Sequence, residues 1–175
     1  LKYIALGEIA VFLVWGPLMV GGGYFVIKHI WDWNIAIASA VYALGVTTVI
    51  FGKHIDKMMP DREKRIHTLP SLLGEKASRY AVLGMMILPY FIVIYLVTTG
   101  TFSPVLLIVL FALPKLKQVA PAFLKPKPEE RPVGFPQGQG GWPLYFAPLA
   151  FMYNRAFGSL FILGVLADVV LHKLI

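Results

Sequence analysis

The chain has no cysteine. That excludes a disulfide framework, thiolate chemistry and any Cys-based metal site, and it leaves the redox compartment unmarked. Charge is scarce as well. Only 14% of the 175 residues are Asp, Glu, Lys or Arg, and nine of these are acidic. The start carries no pattern of a cleaved signal peptide, because its first apolar run is too long for an h-region and lacks a small-residue cleavage pattern. No internal repeat is visible, which weakens a transporter built from inverted halves.

What is present is apolar. Hydrophobic residues make up 58% of the chain, and mean hydropathy is +0.72. A soluble domain of this length does not need so much. Several nearly uncharged runs approach or exceed the ~20 residues that cross a bilayer as a helix. The expected fold class is therefore all-α, a multi-pass helical membrane protein with about five transmembrane helices in one membrane domain, 1–175. The expected spans are 3–27, 35–52, 76–98 and 104–123, the last broken at Pro114. Residues 142–175 are too long for one perpendicular span. They read either as one tilted helix or as an interfacial piece, 142–153, followed by a crossing over 156–172. Gly21, Gly22 and Gly23 predict a close helix contact. Trp31 and Trp33 in the KHIWDWN turn read as interfacial belt aromatics. The Pro- and Gly-rich stretch 124–142 reads as an extended loop.

The net charge of +7 sits in loops. Residues 53–79 hold Lys53, Lys57, Arg62, Lys64, Arg65, Lys76 and Arg79, and residues 115–131 hold Lys115, Lys117, Lys125, Lys127 and Arg131. The first interhelical turn has Lys28 alone. This is the positive-inside distribution. It excludes nucleic acid as a partner, places membrane lipid around the spans, and predicts a cytoplasmic loop over 53–75.

That loop, FGKHIDKMMPDREKRIHTLPSLLGE, is the densest ionic cluster in the chain. Asp56 and Asp61 are separated by Pro60, where a bend is expected. Two carboxylates on a helix end and the adjoining turn suit Mg²⁺, a hard cation that takes oxygen ligands and keeps waters or phosphates. Lys53, Lys57, Arg62 and Lys64 complement a diphosphate. The alternative is a solvated loop with local ion pairs. Glu8, Asp168 and Arg155 lie in apolar runs, where ionisable groups are functional candidates. Glu8 sits near the cytoplasmic end, and Asp168 is beside His172 and Lys173, which reads as an interfacial pair. Arg155 either marks the membrane edge or faces a cavity and touches a phosphate. His54 and His67 lack metal-site spacing. Tyr24, Tyr42, Tyr90 and Tyr95 read as packing or belt residues that could also face a cation.

The KHID start, the Asp five residues on, the basic residues, Thr68-Leu69-Pro70 and the Leu-Leu-Gly-Glu exit resemble the second aspartate-rich motif of the UbiA superfamily of intramembrane prenyltransferases. Gly7-Glu8 with FLVWGP at 12–17, Ala112-Leu113-Pro114, and GWPLYFAPLAFMYNRAFG at 141–158 extend the resemblance along nearly the whole chain. It implies the second half of a nine-helix bundle. It also implies transfer of a prenyl group from an isoprenoid diphosphate to an aromatic or other lipophilic acceptor, as in quinone biosynthesis. By motif position, Asp56 and Asp61 would be the catalytic and metal-coordinating carboxylates for Mg²⁺. Lys53, Lys57, Arg62, Lys64 and Arg155 would be diphosphate contacts. The sequence departs from the pattern twice. Arg65 replaces the usual glycine three residues before the TLP threonine, and no NDxxD-type first motif is present. The expected partner is thus a missing N-terminal half or a partner membrane subunit. The alternative is a non-catalytic subunit of a larger membrane complex that binds lipid, quinone or pigment.

Overall fold

The computed structural model describes residues 4–138 and 140–174, with side chains through His172. The expected start at residue 3 and end at 175 lie outside the described residues. Among the described residues seven helices follow in order: α1 (Gly7–Lys28), α2 (Trp33–Asp56), α3 (Met58–Glu63), α4 (Leu69–Leu73), α5 (Glu75–Thr98), α6 (Pro104–Leu124) and α7 (Phe146–Leu174). All but α3 and α4 are long and apolar enough to cross a membrane. The all-α, five-span reading holds.

Local chemistry sets the boundaries. α1 is regular over Gly7–Leu13, widens into π turns over Val14–Gly21 and tightens again over Gly22–Lys28. Pro17 lies in the wide part, where its missing N–H removes one helical bond. His29 ends α1 in the left-handed region, with φ 57°. The Asp32 carboxylate opens α2 by accepting from the N–H groups of Asn34 and Ile35 at 2.8 and 3.2 Å, as an N-cap does. α6 begins with tight 3-10 geometry over Pro104–Ala112 and becomes α-helical from Leu113. The break at Pro114 appears as this change of pitch. Residues 146–174 form one helix, which settles the open reading of the last segment. Pro148 falls in its first turn, where a missing N–H is harmless.

α2 is the central element. α1, α5 and α7 pack against it, and α6 fills the space between α5 and α7. Val41, Phe51, Val82, Met86, Val93, Leu106, Val109, Phe123 and Phe146 form the buried core. The close contact of α1 with α2 is made at Gly16, where a Cβ would lie 2.7 Å from that of Ala43. The expected triple glycine does not make it. Gly21 packs under the Trp31 ring, and Gly22 and Gly23 face open space. Phe91, Phe111 and Leu163 point outward and are exposed, as contact with lipid requires.

The helix ends gather in two groups. The start of α1, the end of α2, α3, α4, the start of α5, the end of α6 and the start of α7 share one end. They are tied by Glu8 to His54, Arg79 to the Phe123 carbonyl and Asp56 to the start of α7. Tyr95 to Asn34 and Ser103 to Asp168 tie the other. Both basic stretches therefore lie at the first end.

Candidate functional site

The end of α2 reaches four residues beyond the expected limit, so Lys53, His54 and Asp56 stand on a helix. The chain breaks at Lys57, with φ −104° and ψ 11°, and not at Pro60. Pro60 sits inside α3, within a first turn that does not use its N–H.

The Asp56 side chain is fully buried. Its two oxygens accept from the N–H groups of Phe146 and Ala147 at 3.1 and 2.9 Å. It thereby anchors the N-terminus of α7, where a negative charge is favoured by the helix dipole. Gly52 makes the approach possible. A Cβ there would fall 2.9 Å from the backbone of Phe146 and Ala147. Lys127, from the loop after α6, brings its ammonium to 3.8 Å from Asp56. The same ammonium donates to the Pro143 carbonyl and lies 5.1 Å from the Trp142 ring centroid.

Asp56, Arg62, Glu75 and Lys127 line one cavity of 480 Å³, whose remaining walls are Ile55, Met58, Met59 and Phe146. Buried Arg79 stands behind it. Its Nε is 3.3 Å from Glu75, in ion-pair reach but not aligned as a hydrogen bond, and it donates to the Phe123 carbonyl at 3.4 Å. In the cavity two cations, Arg62 and Lys127, thus meet two carboxylates, Asp56 and Glu75, and Arg79 adds a positive charge from behind Glu75. A polar hollow that offers two cationic side chains beside an apolar wall suits an anionic head on an apolar body.

Of the expected site residues, the structure brings Asp56 and Arg62 to this cavity. Asp61 is half-buried on α3 and is not among the cavity's lining residues, and Lys53, Lys57 and Lys64 are exposed. Arg155 lines a different groove, between α2 and α7. The expected Mg²⁺ has no complete ligand set here. Each Asp56 oxygen already accepts a backbone N–H, and no group of three or more metal-ligating acids or histidines occurs among the described residues. This chain's residues do not by themselves fit the ion.

Glu8 is buried and accepts from the Leu69 N–H at 3.2 Å, with His54 Nδ1 at 2.6 Å from the same oxygen. It joins α1 to the end of α2 and to the Thr68-Leu69-Pro70 turn. That turn is the expected entry into the next helix, with Thr68 and Ser71 capping each other. Arg65 has φ 53°, so the position where the family pattern has glycine does require the left-handed region. Asp168 accepts from the Ser103 N–H at 2.6 Å and lies 3.5 Å from His172, a structural tie at the far end. The side chain of Lys173 lies outside the described residues. Tyr90 is buried against Phe157. Tyr42 is exposed in the α2–α7 groove.

Sequence reasoning missed Lys127, Glu75 and Gly52. Lys127 counted only as one more loop cation. Nothing in its KPKPEER surroundings signals that it meets Asp56, because the pairing depends on how the loop folds back over α7.

Five membrane-length helices around a buried polar end define a multi-pass integral membrane protein with an anion-suited cavity. A sequence model of the UbiA prenyltransferase family matches residues 1–132, and the chain belongs to that family. It is similar to the UbiA prenyltransferase domain-containing protein 1 of Dictyostelium discoideum, at 28% identity over 130 residues, 74% of this chain and 39% of that one. The proteins of the same description from Rattus norvegicus and Homo sapiens are 32% identical over 106 residues, 58% of this chain and 30% of theirs. The chain therefore spans well under half the length of these relatives. No solved structure matches it.

Proposed function

We propose that this chain forms the diphosphate-binding part of a UbiA-type prenyltransferase, with the cavity at Asp56, Arg62 and Lys127 holding the head of an isoprenoid diphosphate. The observation that carries this reading is that cavity: cations from α3 and from the loop after α6 meet beside an apolar wall of Ile55, Met58 and Phe146. Arg62 and Lys127 hold the diphosphate oxygens, and Lys53, Lys57 and Lys64 draw the anion to this end of the molecule. The apolar wall receives the first isoprene unit. The C–O bond of the allylic diphosphate breaks, the diphosphate leaves with the electron pair, and a lipophilic aromatic acceptor captures the allylic cation and then loses a proton. The net charge of the cavity is too small to hold a departing diphosphate unaided. The Mg²⁺ that family membership suggests needs ligands from beyond residues 1–175. We place the loop over 53–75 in the cytoplasm by the basic asymmetry between the two ends.

One observation favours a second reading, a non-catalytic membrane subunit that binds lipid, quinone or pigment. Asp56, the first carboxylate of the motif, is wholly engaged in holding α7. The two readings separate in one experiment. Purified chain in lipid nanodiscs is titrated with geranyl diphosphate, with and without Mg²⁺. Binding that weakens roughly tenfold in Arg62→Gln and in Lys127→Gln, as loss of a charge-assisted hydrogen bond predicts, supports the diphosphate site. No saturable binding, or binding by both variants as tight as by the unsubstituted chain, leaves the non-catalytic reading standing alone.

A further inference from the structure

Arg155 lies at mid-depth in the apolar part of the molecule, and it is exposed. The register of α2 against α7 fixes that depth. Gly52 packs on Phe146 and Ala147, and Gly45 packs on the Asn154 side chain. Val41 and Tyr42 share a groove with Phe157 and Gly158. The helices run antiparallel, so Arg155 is level with Leu44, near the middle of Trp33–Asp56. Counted along α7 it is nine residues past Phe146, about 13 Å at the helical rise. Among the described residues no ion pair involves it, and the buried carboxylates are elsewhere. Glu8 is held by His54 and Leu69 at one end, and Asp168 by Ser103 at the other.

A guanidinium at the centre of a bilayer facing lipid is strongly unfavourable, so intramembrane cations face a partner or a polar space. The groove around Arg155 measures 210 Å³, below the roughly 300 Å³ where small-molecule sites begin. It has room for side chains. Gly158 and Ser159 line it, and small residues let another helix come close. One wall is Tyr42, with Trp15 at 6.2 Å between ring centroids. A second copy of the chain is a poor occupant, because it would bring another Arg155 to the same depth. A phospholipid phosphate stays at the surface.

We propose that the α2–α7 groove around Arg155 is the docking site of a further transmembrane helix that carries a carboxylate at mid-bilayer depth. Arg155 donates to that carboxylate in a two-pronged pair, and Asn154 and Ser159 supply hydrogen bonds across the same seam. The inference does not rest on the catalytic reading, since the groove is separate from the Asp56 cavity.

The test uses the full chain in phosphatidylcholine vesicles with one nitroxide at Leu166→Cys, exposed on α7 outside the groove lining, the chain having no other cysteine. The probes are three Leu/Ala transmembrane peptides with a central Glu, Gln or Leu. The expected result is immobilisation of the label by the Glu peptide, with roughly tenfold tighter association than the Leu peptide, in keeping with measured interhelical polar contacts. Arg155→Leu should abolish that preference, and Arg155→Lys should keep part of it. Arg155→Leu removes a charge from the bilayer, so insertion is not at risk. Equal binding of the three peptides, or the same preference in Arg155→Leu, overturns the proposal. So does immobilisation without peptide, whether it appears on adding phosphatidylglycerol, which assigns the groove to lipid, or rises with protein density, which assigns it to a second copy.

Discussion

At Asp56 one carboxylate serves a helix terminus and a lysine together. Asp56→Ala strips the N-terminus of α7 of both acceptors and should destabilise the protein by about 2 kcal/mol, the upper range for a lost cap, read as a lower melting temperature in nanodiscs. Asp56→Asn keeps an acceptor oxygen and should lose less stability. If prenyl transfer by the chain joined to its complement fell by orders of magnitude in Asp56→Asn while its melting temperature held, the residue would have a chemical role beyond anchoring α7. Arg65 offers the opposite sign. Its φ of 53° is strained for any residue with a Cβ. Arg65→Gly should therefore stabilise the protein by roughly 0.5–1 kcal/mol after the entropy of glycine is counted. A fall in melting temperature would mean that the Arg65 side chain does something the contacts do not reveal.

Among the elements, the α2–α7 pair decides most. Gly52 lets the end of α2 meet the start of α7 backbone to backbone. Gly52→Ala would push the two apart, displacing Asp56 from the N–H groups it caps. A loss of about 2 kcal/mol is expected, as for an overpacked contact. Gly84→Ala is the control, because its Cβ would meet nothing within 4 Å, and there the change should be neutral or stabilising. Equal losses at both positions would show that the Gly52 approach is not what holds α7. The loop after α6 belongs to the same unit. Lys127 reaches back over the start of α7, so this Pro-rich segment closes the cavity and is not a free linker.

At the scale of the whole molecule, the two ends differ in charge, and that difference makes topology testable. Cysteine at Ser71 should be labelled from the cytoplasmic face only, because both basic stretches share its end. Labelling from the outside alone would invert the orientation. The isolated chain should show no prenyl transfer with allylic diphosphate, Mg²⁺ and aromatic acceptors. Its cavity has two cations set against two carboxylates, and an allylic cation needs a site closed to water. Robust product from the chain alone would overturn the dependence on a complementary segment.

Periodic apolar runs, capping residues and basic asymmetry are local properties. The spans, the α6 break at Pro114, the TLP turn and the candidacy of Asp56 and Arg62 could therefore be read from residues close in sequence. The end of α2 extends past the expected limit because His54 and Asp56 look like loop residues until Glu8 and the start of α7 supply partners for them. The start of the last helix at Phe146 depends on Asp56 reaching the N–H groups of Phe146 and Ala147. No local pattern encodes that contact. The sequence by itself determined the class, the number of crossings and the acid–base character of one end, because burial in a bilayer constrains every residue along a span. The tertiary structure alone decided that Asp56 holds a helix, that Lys127 and Glu75 complete its cavity, and that Arg155 stands apart at mid-depth. Those facts arise where distant segments meet, and a side chain's partner is fixed by packing and not by its neighbours in the chain.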